Sequence, residues 1–156
     1  MAAFKSQGLI EAPVAEVWRL LEDPARFPDW AADEVIEVTG VPTRIEKGST
    51  FELKSRGPLG MTPTTVFRVE QFDELREIKL RCQTSGYYSH WLLTDARGDT
   101  FAEVEVGVEP VQSIPGRLLG ALHSKGYLRR IADGSLDAIR RVFRGAPRSV
   151  APKGRK

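Results

Sequence analysis

The sequence has one cysteine, Cys82, in 156 residues, and only two histidines, His90 and His123. A lone thiol excludes an internal disulfide, and three such side chains are too few for a closed Cys/His zinc site. No apolar run approaches the roughly 18 residues that a membrane-spanning helix needs. Residues Met1 to Gly8 lack the apolar stretch of a secretory signal, so a cytoplasmic location is expected. There is no Gly-rich phosphate loop, no nucleophile elbow and no pair of carboxylates spaced as in a hydrolase. No metal and no cofactor is expected. Repeats and low-complexity segments are also missing.

What is present is an ordinary globular composition, 41% hydrophobic and 28% charged. A chain of this length buries roughly 70% of its unfolded surface and needs no cross-link to stay folded. The net charge of +2 conceals an asymmetry. Arg140, Arg141, Arg144, Arg148, Lys153, Arg155 and Lys156 crowd the last 17 residues, which carry no acid. Without these seven, 16 basic residues face 21 acidic ones, and the body stands near −5. The tail has no aromatic after Phe143 to stack on bases, and Pro147 and Pro152 interrupt any amphipathic helix. Nucleic acid is therefore not an expected partner. One ligand-binding domain is expected over 1–146, followed by a basic, flexible tail over 147–156.

Residues 4–11 read as a short strand. Pro13 then opens a helix over 13–22, with Val14, Val17, Trp18 and Leu21 on one face. Asp23–Pro24 repeats the start signal, and Pro28 is expected to end that second helix early. From 33 to 109 the apolar period falls from about 3.6 to 2. Six strand candidates alternate there with short turns, including Gly57 to Gly60 and Arg97 to Asp99. Such short connections demand antiparallel neighbours. In the last hairpin, a four-residue turn between Asp95 and Thr100 sets Trp91 against Val104, Ser89 against Val106 and Tyr87 against Val108. Its other face sets His90 against Glu105, read as an ion pair. A slip of one residue would bury Glu103 and Glu105. A final helix starts near Ser113 and Pro115 and runs to about Gly145, interrupted by Gly120, Gly126 and Gly134. Close packing on the sheet is the expected reason for those glycines.

The run Ile10-Glu11-Ala12-Pro13-Val14-Ala15-Glu16-Val17-Trp18, with Leu21, Asp23-Pro24, Phe27-Pro28 and Trp30 after it, resembles the opening of the START/SRPBCC helix-grip superfamily. Within it the chain is most similar to small bacterial polyketide cyclase/dehydrase-like proteins. The resemblance extends to about Arg144. It implies an α+β helix-grip fold: a curved antiparallel sheet of about seven strands around a long C-terminal helix, with two short helices after the first strand. It also implies a hydrophobic ligand pocket. The superfamily includes polyketide aromatase/cyclases, lipid and sterol carriers, quinone-binding proteins and chaperone-ATPase activators.

One helix about 10 Å wide cannot fill the concave face of seven strands, so an apolar cavity is expected between them. Its expected wall is Phe51, Leu53, Phe67, Val69, Leu80, Tyr87, Ser89, Trp91, Val104 and Val106 from the sheet, with Leu118 and Leu122 from the helix. Tyr87, Ser89 and His123 are weak candidates for proton transfer. Cys82 reads as a small buried apolar residue, with no base beside it. Trp18 and Trp30 read as anchors of the first helices. Arg129 and Asp133 form an exposed pair one helical turn apart. Alternation points Arg68 and Arg81 outward. Cyclases of the superfamily are thought to hold their poly-ketone with an arginine inside the cavity, and no arginine can be placed there. The expected function is binding or transport of a small hydrophobic molecule such as a lipid, polyketide or quinone. The alternatives are a cyclase/dehydratase enzyme and a protein-interaction domain with a filled core.

Overall fold

The computed structural model describes residues 2–109 and 125–144. Seven strands form one antiparallel sheet: β1 (Ala2–Ile10), β2 (Val35–Thr39), β3 (Thr50–Ser55), β4 (Thr64–Asp73), β5 (Glu77–Cys82), β6 (Tyr87–Ala96) and β7 (Asp99–Val108). Their spatial order is β1-β7-β6-β5-β4-β3-β2, so β2 to β7 form a meander and β1 closes the β7 side. Helix α1 (Val14–Leu21) follows β1, then a 3₁₀ turn over Pro24–Arg26, then α2 (Phe27–Trp30). Helix α3 spans Lys125–Arg144. The α+β helix-grip architecture is as expected.

Pro13 stands one position earlier than expected. It is the extended residue before α1 (φ −61°, ψ 150°). Pro28 does not end the second helix. It lies in the first turn of α2, where its missing N–H leaves no bond unmade. Asp23 adopts the capping position without a side-chain cap bond.

The last hairpin has the expected register, with Trp91 opposite Val104 and Ser89 opposite Val106. Its turn is tighter than four residues. Ala96 pairs with Asp99, and only Arg97 (φ 57°) and Gly98 (φ 93°) lie between them. Two successive positive φ values are the mark of a type I′ turn, which matches the strand twist. The outward ion pair is corrected as well. His90 does face Glu105 across the sheet, but its Nε2 lies 2.6 Å from Glu77 Oε2 on the other neighbouring strand.

Helix α3 packs mainly on β1 and β7 and touches α2, while α1 covers β6 and β7. Arg140 fastens α3 to the sheet edge by donating from Nε to the Leu9 carbonyl (3.0 Å). Ile10, Val17, Trp18, Leu21, Val69 and Ile78 are almost fully buried in the core.

The helix runs unbroken through Gly126 and Gly134. Gly120 lies outside the described residues. Close packing does not explain Gly134, because a Cβ there would meet no atom within 4 Å. Gly134→Ala is expected to stabilise the protein by about 1 kcal/mol, from helix propensity alone. Gly86 is the opposite case. Its φ is +79°, and a Cβ would strike the carbonyl of Glu109, where the chain leaves β7. Gly86→Ala should destabilise clearly, and denaturant unfolding of the two variants checks both signs.

Candidate functional site

The concave face is built in rows, because residues two apart on each strand share a side. One row holds Phe67 opposite Cys82 on β4 and β5, with Tyr87 opposite Val108 on β6 and β7. The next holds Val69, Leu80, Ser89, Val106 and Phe4. The third holds Phe72, Ile78, Trp91, Val104 and Ser6. All ten sheet residues expected in the wall lie on this face or in the core against it. Phe51, Leu53, Phe67, Val69, Leu80, Trp91, Val104 and Val106 are buried, while Tyr87 and Ser89 are half-buried. Leu118, Leu122 and His123 lie outside the described residues. Cys82 is a buried free thiol, as expected.

The two ends of this face differ. At the end nearest α1 the core is closed. Trp18 packs on Phe72 (5.5 Å between centroids) and donates from Nε1 to Glu22 Oε1 (3.0 Å). At the other end, where β6 begins and β7 stops, Phe4, Trp30, Tyr87, Ser89 and Tyr127 remain half-buried. A chain of rings runs across the strands at that end: Trp30 to Phe27 (5.7 Å), Phe27 to Phe51 (6.5 Å), Phe51 to Phe67 (6.2 Å, stacked) and Phe67 to Tyr87 (6.3 Å). These spacings fall in the range of favourable aromatic pairs.

Polar groups gather at the open end, and sequence reasoning missed most of them. Glu34 precedes β2, and its carbonyl accepts from the Arg56 amide (2.8 Å), which ties it to the end of β3. Burial pushes its carboxyl above the ordinary value against the opposing pull of Arg130, with Asp33 adding to the rise. Burial also raises the Tyr87 phenol, helped by Glu34 and Tyr127. Tyr127 is raised by burial and by Glu34, while Arg130 opposes. The Arg130 guanidinium lies 5.6 Å from the centre of the Tyr127 ring. Glu34 therefore acts on both tyrosines, and Arg130 on Glu34 and Tyr127. Trp30 adds a buried indole N–H with no acceptor among the described residues. Tyr127 adjoins Leu128 in the apolar stripe of α3, which was the one available sequence signal. Nothing in the local pattern around Glu34 marks it.

Among the described residues two clefts stand out, and neither lies between the sheet and α3. One, about 330 Å³, sits at the closed end among Glu22, Asp23, Val41 to Ile45, Phe72 and Glu74. The other, about 490 Å³, lies beside β4 and β5. The described residues include no cluster of side chains suited to a metal ion. Arg129 and Asp133 form their expected exposed pair (3.8 Å).

The fold agrees with comparison to known proteins. The family model described as "Polyketide cyclase / dehydrase and lipid transport" matches residues 1–144. The chain belongs to this family, a class of START-like helix-grip domains with a hydrophobic ligand-binding fold. A START superfamily protein from Mycobacterium smegmatis superposes with a TM-score of 0.68 at 15% identity, covering 94% of this chain and 100% of its own. A protein from Thermus thermophilus gives 0.68 at 19% identity, covering 92% and 99%. A Nitrosomonas europaea protein gives 0.68 at 12%, covering 92% and 95%. No curated protein matches the chain.

The raised Glu34 carboxyl makes a pH prediction. The folded state binds this proton more tightly than the unfolded chain does, so its favourable contribution is complete below the ordinary carboxyl value. It is lost as pH rises through the higher folded value. Glu34→Gln, a neutral mimic, should melt above the wild type at pH 7.5, and the gap should close toward pH 4. Thermal melts across that range check it.

Proposed function

We propose that the protein binds a small hydrophobic molecule against the concave face, entering at the open end of the grip. The observation that carries this reading is the chain of rings from Trp30 to Tyr87, half-exposed at both its ends, on a face that Trp18 and Phe72 seal at the α1 side. Apolar surface of this kind gains free energy when covered, at roughly 25 cal/mol per Å². The few polar groups at the rim suit orientation of a ligand more than its attraction. The family's description, which includes lipid transport, is consistent with a carrier or sequestering role.

A second reading, proton transfer on the bound molecule, draws on Glu34. A partly desolvated carboxyl near two tyrosines at the rim of an apolar face has the character of a general acid or base. It supports the cyclase/dehydratase alternative better than Ser89 does. That reading expects the protein to speed deuterium exchange at the central carbon of benzoylacetone. Glu34→Gln should remove the acceleration, and exchange at the uncatalysed rate with wild-type protein would end the idea.

Binding is tested with Nile red, an uncharged dye whose emission rises in apolar surroundings. Ser89→Trp fills the second row between Leu80 and Val106. It should reduce dye uptake at least about tenfold, equivalent to roughly 1.4 kcal/mol, while circular dichroism stays unchanged. Uptake equal to wild type in a folded variant would place the pocket elsewhere.

A further inference from the structure

The larger cleft lies on the opposite side of the sheet from the ring-lined face. Arg68 and Arg81 point into it from β4 and β5, and they are direct cross-strand partners. Like charges in that relation repel. Arg81 is compensated. It and Lys79 share two carboxylates, Glu70 and Glu109, at 3.3–3.6 Å in a closed set of four. Two acids and two bases there balance one another.

Arg68 stands outside that set. It has no carboxylate within ion-pair distance among the described residues, and neither does Lys47 across the cleft. Both side chains are exposed. Gly48 (φ +96°) carries the loop between them, and the Arg68 guanidinium lies about 4.0 Å from where a Cβ would be. The bulge after Val69 places Glu70 where Lys79 and Arg81 hold it. Gln71 and Gln83 complete the lining with neutral amides. The cleft therefore presents three cations and one carboxylate that is already engaged.

We propose that this cleft is an anion site for a phosphate group carried by a small molecule. Its surplus of two positive charges matches a phosphate dianion. The Arg68 guanidinium supplies a planar fork for two oxygens, and Lys47 supplies a point charge on the other side. The volume of about 490 Å³ leaves room for the organic part of such a molecule beside Gln71 and Gln83. Its charged and amide groups lie on the other side of the sheet from the hydrophobic face, and of its lining only Val69 belongs to both.

The test is calorimetric titration of the full chain with inorganic pyrophosphate at low salt, alongside sedimentation with phosphatidylcholine vesicles containing phosphatidylglycerol. Arg68→Gln and Lys47→Gln should each weaken pyrophosphate binding by about tenfold or more, the scale of a lost charge-assisted hydrogen bond. The double variant should abolish it. Arg97→Gln, an exposed cation in the β6–β7 turn, should change nothing. Unliganded Arg68→Gln should melt no lower than wild type, because it relieves the repulsion with Arg81. Pyrophosphate binding without vesicle binding assigns a soluble phosphate compound. Vesicle binding alone, lost in the double variant, assigns a lipid headgroup. The proposal is overturned if wild type binds neither probe, if the double variant binds as well as wild type, or if Arg97→Gln loses as much as Arg68→Gln.

Discussion

A sheet of seven strands is too wide for one helix. Strands lie about 4.8 Å apart, so six gaps span roughly 29 Å, against about 10 Å for a helix with its side chains. Helix α3 accordingly settles over β1 and β7, and α1 takes the end of β6 and β7. Among the described residues the concave surface of β3 to β5 is left to side chains, and the sequence supplies large rings there: Phe51, Phe67 and Phe72, met by Phe27 and Trp18 from the short helices. Where rings meet rings the core closes. Where they stop, at Tyr87 and Trp30, the face stays half-open and polar groups appear.

The convex side answers a different constraint. Among the described residues it has no second layer, so its charged residues must be stable beside water and beside one another. Tyr88 is only 3% exposed there, an unusual burial for an outward position. It lies opposite Gly107, whose missing side chain leaves backbone to be covered, and the Lys79 ammonium sits 4.6 Å above its ring. Burial and the nearby Glu105 push its phenol up to about 12. Lys79 then meets Glu70 and Glu109, and Arg81 completes the set. The order of this face ends at Arg68, the next residue along the same row.

The elements and the concave wall were legible in the sequence because they follow from periodicity. Tyr87, Ser89 and Trp91 had to share a face with Val104, Val106 and Val108, since a slip of one residue buries Glu103 and Glu105. Contacts between strands not joined by that hairpin were not legible. The β5–β6 register sets Lys79 against His90 and Glu77 one diagonal step away. No pattern within β6 and β7 could foretell that His90 would choose Glu77. Pro28 misled for a related reason. A proline ends a helix or begins one according to where the first turn falls, and here the 3₁₀ turn ahead of it shifted that start.

The polar rim was hidden for a deeper reason. Glu34, Tyr87 and Tyr127 come from a loop, a strand and a helix far apart in the chain, and of the three only Tyr87 reads as a site residue from the sequence. Their mutual influence exists only once α3 crosses the β1 side and brings Tyr127 and Arg130 toward the segment before β2. The same docking that covers two strands thus delivers charge to the edge of the uncovered ones. Coverage and polarity are consequences of one placement. That placement rests on few polar ties, one of them the Arg140 bond to the Leu9 carbonyl. The Arg140 guanidinium lies over Gly8, where a Cβ would make this flexible group shift. The bond that ties the helix to the sheet edge therefore also helps to set the position of the rim.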